Sequence, residues 1–98
     1  MNSRRLEPSR SRSRPRIDPE HVAQTLTAFV NDNIMARGHS MGVDDAFETA
    51  GVDSMAMLKL LLFIEHTFGF WMPDEDLVET HIASPRALAA YLCRRLSA

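Results

Sequence analysis

The feature that most constrains the fold is an apolar run at residues 55–64, where eight of ten side chains are strongly apolar. It directly follows Gly51-Val52-Asp53-Ser54, whose aspartate and serine are both common residues at a helix N-cap. Gly69, a residue type that often ends helices, comes five residues after the run. We therefore predict a long helix from about Ser54 to Phe68 at the centre of a small helical bundle.

Two further long helices are predicted, one on each side of this central helix. Asp18-Pro19 is typical of an N-cap and first helical position. Apolar residues then recur at helical spacing as far as Ile34, and Gly38 is expected to stop this helix. Ser84-Pro85 is the expected beginning of the last helix, in which Cys93 is expected to be a small buried residue.

The segments between the long helices are predicted to be a loop and a short helix. Residues 37–52 have no helical period, so we expect a long loop that Phe47 fixes to the core. Residues 74–80 can form a short third helix. No stretch alternates at a strand period for long. The predicted fold is all-α: a small four-helix bundle with a long loop between helices one and two and a short third helix.

Charge divides the chain near residue 16. Residues 1–16 contain six arginines and one glutamate, whereas the remainder contains five basic and twelve acidic residues. The first segment has one large apolar side chain, Leu6, so we predict a disordered Arg/Ser-rich tail over residues 1–16 and one folded domain over residues 17–98. The acidic domain argues against nucleic acid as its main partner.

The composition and spacing exclude several classes of protein. No apolar run approaches the ~18 residues of a membrane-spanning helix, and no apolar segment follows the N-terminal arginines as in a secretory signal. A single cysteine excludes an internal disulfide, and the four histidines lack metal-ligand spacing. Ser54 and His66 lie twelve residues apart on one helix, about 18 Å, which is too far for a catalytic pair. We expect a cytoplasmic, non-catalytic protein without membrane insertion.

Ser54 itself lies where a helix favours phosphate, because unpaired N–H groups and the positive end of the helix dipole meet there. An ordinary Asp or Ser N-cap would give the same local pattern. The stretch Asp45-Ala46-Phe47-Glu48-Thr49-Ala50-Gly51-Val52-Asp53-Ser54-Met55 resembles the attachment segment of acyl and peptidyl carrier proteins. The resemblance continues through Phe68-Gly69-Phe70-Trp71-Met72-Pro73 and Ser84-Pro85-Arg86-Ala87-Leu88, so it covers about residues 18–97.

The resemblance implies a specific modification of Ser54. In that family the corresponding serine carries 4'-phosphopantetheine, which a phosphopantetheinyl transferase takes from coenzyme A. The implied role of Asp53 is to help present Ser54 to that transferase. The chain would then be an acyl carrier protein, which holds an acyl or aminoacyl group as a thioester and has no catalytic residues of its own.

The outer face of the central helix is the expected docking surface. A rotation of 100° per residue places Met55, Leu58, Leu62 and Glu65 on the arc of Ser54, while Leu61 falls on the core side. The resemblance implies that partner enzymes dock on this outer arc. The competing interpretation is that its apolar residues are buried, since a helix that is apolar nearly all round usually is.

The partners implied are the transferase, an acyl- or aminoacyl-loading ligase, and a downstream synthase or transferase, with the carrier acting as a monomer. Fatty-acid, polyketide and nonribosomal-peptide pathways stay open at this point. The chain departs from many fatty-acid carriers because the outer arc has one acid, Glu65. The alternative function is a non-covalent helical interaction module with a basic tail that binds nucleic acid.

Overall fold

The computed structural model describes residues 18–97, and within that range it is an all-α bundle without strands. The three long helices are α1 (Pro19–Asn33), α3 (Ser54–Phe68) and α5 (Pro85–Ser97). Two single-turn helices, α2 (Phe47–Ala50) and α4 (Glu79–Ile82), and a 3-10 helix (Asp74–Asp76) lie in the connections. The predicted fold class is confirmed. The predicted tail over residues 1–16 lies outside the described residues.

The core lies where α1 packs against both α3 and α5. Its largest fully buried side chains come from all three long helices and from the segment after α3. They are Leu26, Val30, Leu60, Ile64, Met72, Pro85, Leu88 and Leu92. Cys93 is also buried, as predicted. Within residues 18–97, no helix combines the length and apolar character needed to cross a bilayer.

Helix α1 begins as predicted but ends earlier. The Asp18 carboxylate accepts a hydrogen bond from the N–H of Glu20 at 3.2 Å, so Asp18 is the N-cap. The helix ends at Asn33, five residues before Gly38, so Gly38 is not its stop. Asn31 exchanges two hydrogen bonds with the backbone of Met41, at 2.8 and 3.0 Å, and thereby holds the returning chain. This long-range contact has no signature in the local sequence.

The long connection after α1 contains one helical turn that was not predicted. Helix α2 is four residues long, which is too short to display a helical period. Phe47 fixes it to the core as expected: its side chain is buried, and its N–H donates to the carbonyl of Ala83 at 2.9 Å. The connection is thus anchored immediately before α3 begins.

The predicted short third helix is present in two pieces. The 3-10 helix covers Asp74–Asp76, and α4 begins only at Glu79. Leu77 and Val78 between them leave the helical region, with ψ angles of 67° and 157°. The segment therefore turns at Leu77 and Val78 instead of continuing as one helix, and it follows the side of α5.

Candidate functional site

Ser54 lies at the junction between α2 and α3. Gly51 ends α2 with a φ of 91°, a left-handed conformation that glycine adopts without strain. Asp53 is the N-cap of α3, because its Oδ1 atom accepts a hydrogen bond from the N–H of Ala56 at 2.9 Å. Ser54 is consequently the first residue of α3, one position inside the cap.

The Ser54 hydroxyl is available for chemistry. The residue is exposed, and within residues 18–97 its side chain takes part in no hydrogen bond, since Asp53 supplies the cap. The first N–H groups of α3 lie beside it and lack intrahelical acceptors. The N-terminal end of this fifteen-residue helix favours a negatively charged phosphate ester on Ser54, because the helix dipole is positive there. The predicted role of Asp53 toward a transferase stays a prediction.

The outer face of α3 exposes an apolar strip, as the helical rotation predicted. Met55, Leu58 and Leu62 have exposures of 67%, 42% and 48%, and Glu65 is exposed beside them. Leu61, at the edge of the core face, is only 6% exposed. The competing interpretation, that the strip is buried in the core, is therefore wrong for the isolated chain.

A groove that the sequence did not predict opens next to Ser54, with a volume of about 570 Å³. Apolar side chains of α3 line one side of it, and residues from the α4 region line the other. The apolar residues include Phe47, Met57, Leu58, Leu61, Leu77 and Ile82. Ser54 and Asp53 also line the groove, and Leu58 belongs to both the strip and the groove. Leu77 belongs to the segment predicted as a short helix, and no local pattern in the sequence brings it opposite α3.

The α4 side of the groove is held against α5 by a polar cluster. The carboxylate of Asp76 accepts hydrogen bonds from the hydroxyl of Tyr91 and from Arg95 Nη1, the latter at 2.8 Å. The His81 ring lies tilted against that of Tyr91, with the ring centroids 4.6 Å apart, and its Nδ1 lies 2.9 Å from the Asp76 carbonyl oxygen. Burial, and then the bond to Asp76, raise the pKa of Tyr91 to about 12. The cluster fixes the position of the groove wall.

A second polar cluster holds the connection that leads to Ser54. The guanidinium of Arg86, at the beginning of α5, donates to Asp44 and to Glu20, the latter at 2.9 Å. The backbone N–H of Arg86 also donates to the carbonyl of Val43 at 2.9 Å. The hydrogen bonds to Asp44 and then Glu20 raise the pKa of Arg86. The groups are exposed, so each pair stabilises the fold little, but together they join three segments.

The described residues contain no group of His, Cys, Asp and Glu side chains arranged to hold a metal ion. The groups present at the site are the Ser54 hydroxyl, the N-terminal end of α3 and the adjacent groove. A hydroxyl that is exposed and free of internal hydrogen bonds can accept a covalent group without disturbing the fold. The adjacent groove can then contact whatever that group carries.

Comparison with known proteins gives similarities to one family model and to two carrier proteins, and the family model includes Ser54. A family model described as "Phosphopantetheine attachment site" matches residues 24–92. The anthracycline acyl carrier protein DauA of Streptomyces sp. (strain C5) is 38% identical over 52 residues, which is 53% of this chain and 60% of that protein. The anthracycline acyl carrier protein DpsG of Streptomyces peucetius is 36% identical over the same shares. The chain thus aligns with about three fifths of the length of these relatives.

A solved structure supports the fold. It is a chain of the crystal structure of Bradyrhizobium japonicum glycine:[carrier protein] ligase complexed with glycylated carrier protein. The TM-score is 0.57 at 19% identity, over 80% of this chain and 96% of that one. At this identity the similarity concerns the arrangement of the helices alone.

Proposed function

The chain belongs to the phosphopantetheine attachment-site family, and we propose on that premise that it is an acyl carrier protein modified on Ser54. The observation that carries the assignment is the exposure of the Ser54 side chain and its lack of a hydrogen-bond partner among the described residues. It is an exposed hydroxyl that forms no hydrogen bond with the described part of the chain, on the first residue of a long helix, inside the region matched by the family.

The residues around Ser54 fit the covalent group. In the transfer, Ser54 Oγ attacks the phosphorus of coenzyme A that bears the pantetheine. The bond to the adenosine bisphosphate breaks, and the hydroxyl proton passes to a base of the transferase. The resulting phosphodiester would be attached at the N-terminal end of α3, whose dipole would favour its negative charge. The attached arm supplies a thiol that holds an acyl or aminoacyl group as a thioester.

The apolar strip of α3 is the proposed docking surface. Met55, Leu58 and Leu62 expose large apolar area beside Ser54, and Glu65 adds one negative charge. A transferase, a loading ligase and a downstream synthase or transferase would each bind this surface in turn. Because the strip has little charge, we expect apolar packing to contribute more to binding than ion pairs do.

We further propose a role in polyketide biosynthesis. The two relatives are both named anthracycline acyl carrier proteins, and the outer face of α3 lacks the acidic character typical of many fatty-acid carriers. The chain would act as a monomer and in the cytoplasm. The cytoplasmic location accords with its single cysteine, Cys93, which is a buried free thiol, because a reducing compartment keeps thiols unpaired.

Intact-mass measurement after co-expression with a broad-specificity phosphopantetheinyl transferase tests the assignment. We expect one phosphopantetheine addition, mapped to Ser54 by peptide analysis, and none in Ser54→Ala. Ser40→Ala, which changes an exposed serine in the long connection, should be modified like the wild type. A folded wild-type protein that takes up no arm would favour the non-covalent interaction module, and modification of Ser54→Ala would overturn the site assignment.

A further inference from the structure

The methionines of the described region differ widely in exposure. Met55 is 67% exposed, the highest value among the large apolar residues that the described region leaves in solvent. The other methionines of residues 18–97 are two buried ones, Met41 and Met72, and two half-buried ones, Met35 and Met57. The thioether sulfur that an oxidant in solution reaches most easily in this region is therefore that of Met55.

The thiol of Cys93 competes poorly for such an oxidant. The residue is only 8% exposed, so small molecules reach its sulfur with difficulty. Burial, and then the negative charge of Asp18, raise the pKa of the Cys93 thiol above its usual value. Because peroxides react with the thiolate and not with the neutral thiol, both effects keep Cys93 reduced.

We propose that Met55 is a reversible oxidation site, and that its conversion to methionine sulfoxide weakens the docking of partner enzymes at Ser54. The inference rests on the proposed function, since Met55 belongs to the apolar strip and directly follows Ser54 in α3. A lone pair of the Met55 sulfur attacks one oxygen of hydrogen peroxide, and the O–O bond breaks. The proton on the transferred oxygen passes to the departing hydroxide, and water is released.

This step oxidises the sulfur by two electrons and reduces the peroxide by two. Methionine sulfoxide reductases reverse it, one enzyme for each sulfoxide epimer. Their thiols take up the oxygen as water and are themselves oxidised to a disulfide. The modification at Met55 is consequently reversible.

The sulfoxide opposes docking because it replaces an apolar group by a polar one. The strip binds through apolar packing, and a partner that reaches Ser54 also covers Met55, one residue away. A sulfoxide oxygen that leaves water without a hydrogen-bond donor in the partner loses its hydration, which is unfavourable. Leu58 and Leu62 have no sulfur and stay apolar, so docking is weakened but not abolished.

The fold does not depend on the state of Met55. Its side chain is in solvent, so the added oxygen remains hydrated. The cap of α3 is a separate hydrogen bond, from the N–H of Ala56 to the carboxylate of Asp53 at 2.9 Å. Oxidation should therefore change docking while it leaves the melting temperature unaltered.

The test treats the full-length apo protein with graded hydrogen peroxide, removes the peroxide with catalase and maps added oxygen by peptide mass. Met55 should gain oxygen before Met35 and Met57, and Met41 and Met72 should be last. In transferase kinetics the KM for the oxidised protein should rise about threefold to tenfold with kcat nearly unchanged, as expected when binding alone is lost. Treatment with both sulfoxide reductases should restore the original KM.

Two variants show which methionine is responsible, and each is compared with itself before and after peroxide. Met55→Leu should have the same KM in both states, whatever that KM is. Met35→Leu removes a half-buried methionine outside the strip and should keep the full response. Met1 lies outside the described residues, and both variants retain it, so its oxidation cannot cause a difference between them.

Each result decides one of the claims. Oxidation of Met35 or Met57 before Met55 would overturn the site. Complete oxidation of Met55 with an unchanged KM, or an equal rise of KM in Met55→Leu, would overturn its effect on docking and leave the carrier function intact. Failure of the untreated protein to take up the arm would overturn the proposed function, while peptide mapping would still show whether Met55 is the oxidation site.

Discussion

The domain should stay folded with a carboxylate on the outer strip of α3 and unfold with one on the inner face of α3. The matched pair is Leu62→Glu and Leu60→Glu, the same substitution two residues apart near the middle of one helix. Leu62 is 48% exposed, whereas Leu60 is fully buried. Both positions are far from the helix ends, so the helix dipole affects them about equally.

The expected magnitudes differ by several kcal/mol. Leu60→Glu loses about 2–3 kcal/mol of apolar burial and adds the burial of an unpaired polar group, for a total of at least about 4 kcal/mol. A domain of 80 described residues has roughly 4–12 kcal/mol of stability, so this variant should be largely unfolded or lose at least about 15 °C. Leu62→Glu should stay within about 0.5 kcal/mol of the wild type, because its new carboxylate remains in water.

Circular dichroism melts measure the stability difference, and transferase kinetics measure docking. Leu62→Glu should keep its melting temperature within about 4 °C and yet slow the modification of Ser54, since the strip is the proposed docking surface. Thr67→Glu, at an exposed position of α3 away from the strip, controls for added charge. If Leu62→Glu unfolds the domain as Leu60→Glu does, the strip belongs to the core, and the docking surface must lie elsewhere.

Four further outcomes are expected. Ser54→Ala should keep the wild-type melting temperature within a few degrees, because Asp53 and not Ser54 caps α3; a large loss would mean that the hydroxyl is structural. Asp53→Ala should lose about 0.5–2 kcal/mol by denaturant unfolding and Asp53→Asn much less, and equal losses would contradict the cap. The raised pKa of Tyr91, about 12 against a usual 10, means that the folded state holds the phenol proton more tightly, so stability should fall by about 2 kcal/mol between pH 10 and 12. Tyr91→Phe should lack that fall in pH-dependent unfolding, and an unchanged profile would refute the assignment. Deletion of residues 1–16 should leave the rate of modification at 0.15 M salt nearly unchanged, because charge effects between tail and domain are screened over about 8–10 Å, and a large drop would give the tail a role in docking.

The sequence predicted the parts of the molecule that depend on neighbours along the chain. Asp18-Pro19, Asp53, Gly69 and Ser84-Pro85 marked helix ends because capping and left-handed conformations are local requirements of the backbone. The exposed strip could also be predicted, since a regular rotation per residue fixes which side chains share a face. The proposal of Ser54 as the attachment residue also rests on a motif of the same short range.

Tertiary contacts decided the features that involve segments distant in sequence. Helix α1 ends at Asn33 and does not extend to Gly38. In its last turn, the side chain of Asn31 forms two hydrogen bonds with the backbone of Met41. The predicted third helix divides at Leu77, while Asp76 just before it is held by Tyr91 and Arg95 of α5.

The groove is the clearest example of what only the folded chain contains. Leu61 and Ile82 lie 21 positions apart, and each is an ordinary apolar residue of an ordinary helix. They become two sides of one cavity because α4 is held against α5 by the Asp76 cluster and against the long connection by the hydrogen bond from Phe47 to Ala83. Local periodicity specifies which way a side chain faces along its own helix. The distance between two helices is set by the packing and hydrogen bonds of the whole domain, and that distance creates the space beside Ser54.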